Sequence, residues 1–94
     1  MPYIRKVRVQ APGTRNEHIT DVMYSQSTTG SLTLASRPLV VSQIDAGTSY
    51  RTHNDLTGTE ARVETRTSSS SVRYITTLAD GVETNNLLGL PRFN

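Results

Sequence analysis

Five side chains in the second half of the chain could meet a negatively charged partner: Arg51, His53, Arg62, Arg66 and Arg73. They fall within three consecutive segments with strand-like composition. Nine of the ten basic residues are arginine, with Lys6 the exception. A guanidinium is a planar fork that donates in parallel to phosphate or carboxylate, so an arginine cluster points to anion recognition. The plain alternative is a solvated basic surface. In "THND", His53 and Asp55 lie two apart and share a side of any strand. A histidine–carboxylate pair is the raw material of a general base or a metal site. Only one other histidine exists, His18, and no ligand spacing joins the two, so no metal site is expected. "PGTRNE" and "TGTE" match no phosphate loop, and no nucleophile elbow occurs. The hydroxyls of "TSSSS" have no base beside them. Catalysis is not expected, and no cofactor motif is present.

Elements must bring those five residues together. "YIRKVRV" (3–9), "HITDVMYSQ" (18–26) and "SLTLAS" (31–36) have the β-branched and alternating character of strands. "SRPLVVSQIDAG" is the single helix signal. Ser36 can cap it, Pro38 suits the first turn and Gly47 can close it. Three further strand patterns follow at 48–54, 61–67 and 72–79, with connections short enough for an antiparallel meander. The expected class is α+β: a mainly antiparallel sheet of about five or six short strands packed on one helix.

If "TSSSS" closes a hairpin with two or four residues, Thr67 faces Val72 and Arg66 faces Arg73. A four-residue loop at 56–59 sets His53 opposite Arg62 and Arg51 opposite Glu64. Both registers give the same faces. Tyr50, Thr52, Ala61, Val63, Thr65, Val72, Tyr74, Thr76 and Leu78 turn to the helix. Arg51, His53, Arg62, Glu64, Arg66, Arg73, Ile75 and Thr77 turn to solvent. An odd loop would slide the second pairing apart.

Ninety-four residues hold one domain, expected over 1–94, with little interior for an enclosed pocket. A deep site would form between subunits. There is no cysteine, so disulfides and thiolate metal sites are excluded and a reducing cytoplasm is compatible. No run is long enough for a membrane span, and "MPYIRKVRVQ" carries charges inside its apolar stretch, unlike a signal peptide. The net charge of +2 is far from that of a nucleic-acid-binding tail. Single-strand platforms need exposed aromatics. Tyr50 and Tyr74 are expected inside, so long nucleic acid is disfavoured. At the end of the chain, Gly81 permits a turn after Asp80. Asn85 or Asn86 can cap a single helical turn, and Leu87, Leu88, Leu90 and Phe93 fold back as an apolar clasp.

"YIRKVRVQAPG", "NEHITDVMYSQ" and above all "RYITTLADGVETNNLLGLPRF" resemble a bacterial family of small domains of unknown function, DUF3892. The resemblance runs over nearly the whole chain. It implies a self-contained module of the same kind and brings no catalytic or ligand residue with it. The residues themselves point to a non-enzymatic module for a small anionic ligand, phosphate- or nucleotide-bearing. That ligand would be held by Arg51, His53, Arg62, Arg66 and Arg73, in a homo-oligomer. The rival expectation is a structural or interaction module that associates through strand edges and an exposed Ile75.

Overall fold

β-Branched and aromatic residues at alternating positions give strands β1 (Tyr3–Val9), β2 (Ile19–Ser25), β3 (Thr33–Ser36), β4 (Tyr50–His53), β5 (Glu60–Thr67), β6 (Arg73–Ala79) and β7 (Val82–Thr84). A 3-10 turn at Asn16–His18 lies between β1 and β2, and helix α1 (Arg37–Asp45) joins β3 to β4. The computed structural model describes residues 2–11, 13, 15–79, 82–84 and 86–93. The fold is α+β, with one strand more than the sequence indicates. Three-residue β7 is held by pairing with β6, which local composition does not reveal.

The strand order is β3-β2-β1-β4-β5-β6-β7, antiparallel except where β1 meets β4. The chain leaves β1 through β2, β3 and α1 before returning as β4. That path reverses direction often enough to bring β4 back parallel, paired at Tyr3–Arg51 and Ile4–Thr52. Beyond those pairs the edge of β1 is taken by the C-terminal segment. Val7 N–H donates to Pro91 O and Phe93 N–H to Val7 O, both at 3.1 Å. Leu87 and Leu90 are buried in the core, so the apolar clasp exists and also extends the sheet. Of the two asparagines expected to cap this turn, only Asn86 is among the described residues. The Asn86 amide donates to Thr84 Oγ1 at 2.9 Å, and residues 86–89 form a turn. Asn85, Asp80 and Gly81 lie outside the described residues.

α1 begins and ends as its sequence dictates. Ser36 Oγ accepts from Leu39 N–H, and a proline sits in the first turn. At the other end Gly47 takes φ +107°. The Gly47 and Thr48 amides reach back to Ile44 O and Gln43 O, the double bond of a Schellman close. Val40 and Val41 are buried against a core of Ile4, Val7, Ile19, Val22, Tyr50, Val63 and Ile75. The Tyr50 hydroxyl donates to Gln43 Oε1 and ties the helix to β4.

The β5–β6 hairpin corrects the expected register. Its loop, 68–72, has five residues, so Thr67 pairs with Arg73, Arg66 with Tyr74, and Thr65 with Ile75. A slip of one turns every β6 side chain to the opposite face. Ile75 moves from solvent to full burial, and Val72, expected inside, is 41% exposed. Tyr74 and Thr76 change face yet stay buried, because β6 is covered on both sides. On one of them the Asn16 amide donates to Thr76 Oγ1 at 2.7 Å and to Thr84 O at 3.2 Å.

Candidate functional site on the polar face of β1, β4 and β5

Asn54 shapes the β4–β5 connection. Its side-chain oxygen accepts from the amides of Leu56 and Thr57, its own N–H donates to Thr59 O, and Gly58 closes the turn at φ +74°. The loop therefore spans 54–59, longer by two residues than expected, and the ladder moves by two. His53 lies opposite Glu60, and Arg51 opposite Arg62. An even slip preserves faces. Arg51, His53, Arg62 and Arg66 accordingly do share one face, with Glu60 and Glu64 between them. Arg73 does not. The odd loop before β6 sends it to the helix side, where it donates to both Asp45 oxygens (2.7 and 2.8 Å), Thr65 Oγ1 (2.8 Å) and Thr67 Oγ1 (3.1 Å). It latches α1 to the sheet and leaves the predicted cluster.

The polar face is a chain of alternating charges. Arg5 of β1 forks onto Asp55 through Nε and Nη2, the shortest contact 2.8 Å, and its Nη1 donates to Gly30 O at 3.0 Å. His53 stands between two carboxylates, with Nε2 3.7 Å from Asp55 and Nδ1 3.0 Å from Glu60. The Tyr3 ring meets its edge at a centroid distance of 6.2 Å. Arg51 Nε reaches the other Glu60 oxygen at 3.4 Å. The hydrogen bond from Arg5 holds the Asp55 carboxyl below its usual range, and that from His53 does the same to Glu60. The His53–Asp55 pair on one side was legible. Arg5 was not, because nothing local in "YIRKVRV" says that β1 lies beside β4.

The chemistry follows from these pairings. The two carboxylates approach opposite nitrogens of His53, so the three side chains cannot converge on one ion. Among the described residues no group of three His, Cys, Asp or Glu is placed to hold a metal. Arg62 and Glu64 differ from the rest of the face: neither has a hydrogen bond or ion pair among the described residues. Tyr50 and Tyr74 are both buried, and Tyr3 on this face is half-buried. No helix among the described residues is long and apolar enough to cross a membrane.

Fold and face together define a small α+β domain with a charge-laced sheet surface and an apolar C-terminal clasp. The chain belongs to the family described as Protein of unknown function (DUF3892), whose model matches residues 3–91. No curated protein and no solved structure matches it.

Proposed function

We propose that the chain is a non-enzymatic binding module for a small anionic ligand, taken up on the polar face of β4 and β5. One observation carries this reading. Arg51 and Arg62 stand directly opposite each other on the ladder, and among the described residues the only carboxylate contact to either is Glu60, 3.4 Å from Arg51. Like charges facing across strands are unfavourable by some tenths of a kcal/mol, on the order of 0.2–1 kcal/mol. A phosphate or carboxylate between the two guanidiniums removes that repulsion and gains charge-assisted hydrogen bonds. Arg66 extends the basic surface along β5. His53, already between two carboxylates, orients Glu60 and so Arg51 rather than meeting the ligand itself. A second copy across this face would deepen a shallow site, and a cysteine-free chain suits the cytoplasm.

Isothermal titration with orthophosphate, mononucleotides and cyclic nucleotides, at two salt concentrations, tests the proposal. Binding that weakens with salt and disappears in Arg62→Gln supports it. Absence of heat with every anion removes it.

A second reading, self-association without a ligand, rests on β3. Among the described residues this edge strand pairs with β2 alone, and its Leu34 is 52% exposed. Ile75 no longer contributes, being buried. Light scattering across a concentration series tests this edge. A strictly monomeric particle at high concentration counts against the edge.

A further inference from the structure

β4 starts at Tyr50, so its ladder with β5 stops at the Tyr50–Val63 pair. Glu64 and Thr65 continue with no β4 partner. On the other side the chain turns away through Ser49, Thr48 and Gly47 into the close of α1. The divergence leaves a notch of about 300 Å³, lined by the end of α1, this turn and residues 62–65. Three hydroxyl-bearing residues are among those lining it, Thr48, Ser49 and Thr65.

Its charges decide what it can hold. Asp45 is committed: Arg73 holds both oxygens, and Thr65 donates to one of them. Arg62 and Glu64 are uncommitted among the described residues. They sit two apart on one strand, so they share a side with Cα atoms roughly 6.6 Å apart. They form no ion pair with each other. An anion alone in the notch would be drawn to Arg62 and repelled by Glu64. A cation alone would meet the reverse. A ligand carrying both charges satisfies both groups. The volume is at the lower bound for small-molecule clefts, about 300 Å³. That suits a molecule of amino-acid size and is too small to enclose a nucleotide.

We propose that this notch binds a small zwitterion, with its carboxylate or phosphate on Arg62 and its ammonium on Glu64. The Thr48 and Ser49 hydroxyls complete the shell. The inference rests on the anion-binding reading and narrows it to one end of the polar face.

The test compares two zwitterions, glycine and phosphoethanolamine, with their ammonium-free counterparts acetate and orthophosphate. Amide chemical-shift titration is run on the wild type, Glu64→Gln and Arg62→Gln. One zwitterion is expected to bind at least tenfold tighter than its counterpart, shifting residues 47–49 and 62–65. Which of the two binds tells carboxylate from phosphate. Glu64→Gln should erase the preference while leaving the plain anion bound, and Arg62→Gln should abolish both. Equal binding of zwitterion and plain anion by the wild type, or a preference that survives Glu64→Gln, overturns the zwitterion and leaves the anion reading standing. Silence from all four probes and from the nucleotides overturns both.

Discussion

Ser71 adopts φ +64°, a backbone conformation that L side chains rarely take outside glycine. Left-handed geometry costs a residue with a Cβ roughly 1–2 kcal/mol, and glycine returns part of that through its freer unfolded chain. Ser71→Gly is therefore expected to raise stability by up to about 1 kcal/mol in urea unfolding, with an unchanged m-value. A loss would mean that the Ser71 conformation is not the native one. The two arginines that the sequence groups together should also behave differently. Arg73 joins β6 to the end of α1 through Asp45, Thr65 and Thr67, so Arg73→Gln should lower the thermal midpoint. Arg62, exposed and without a partner among the described residues, should tolerate Gln within about 0.5 kcal/mol. Equal midpoints for the two variants would remove the latch.

Loop length decides which side chains share a face, and loop length is what sequence patterning reads least well. Strand β1 is read to the residue, and α1 is marked at both ends by Ser36, Pro38 and Gly47. Those signals are local: alternation, a cap oxygen, a missing Cβ. The 54–59 loop differs from expectation by two residues and costs nothing in facing, so Arg51, His53 and Arg62 stay together. The 68–72 loop differs by one, and Arg73 and Ile75 trade sides. The Arg5–Asp55 fork joins residues fifty positions apart and depends on a parallel pairing that no local signal encodes. Deleting Ser70 tests whether the length of this loop sets the facing of β6. A four-residue loop with the strand ends held would turn Ile75 outward again. The deletion should cost on the order of 2–5 kcal/mol, the range for emptying a buried isoleucine site. Ser70→Gly, which keeps the length, should cost no more than about 1 kcal/mol. Similar effects from both would show that register is pinned elsewhere.

Long-range ties hold the sheet together as a unit, and they come in two kinds. The apolar one is the clasp: Leu87→Ala leaves a cavity under the tail that pairs with β1, and a loss of about 2–5 kcal/mol is expected. The polar ties join side chains of different elements, two of them distant in the chain and one across the β4–β5 hairpin. Arg5 of β1 holds Asp55 of the β4–β5 loop, His53 of β4 holds Glu60 of β5, and Arg73 of β6 holds Asp45 of α1. In each case the hydrogen bond from Arg5, His53 or Arg73 lowers the carboxyl from its ordinary value, 3.8 for the aspartates and 4.5 for Glu60. The folded state thus binds fewer protons than the unfolded chain in acid. The stabilisation is complete above the ordinary values and is lost as pH falls through them toward the lower folded ones. The urea midpoint should stay flat as pH falls to about 5 and drop below about 4. Since these pairs are solvated, 1 M salt should shrink the drop. Asp55→Asn should shrink it further by removing one of the three carboxylates from the titration. An acid limb of the same depth in wild type and Asp55→Asn would place the loss in other groups, and the Arg5–Asp55 fork would then contribute nothing to holding β1 against the β4–β5 hairpin.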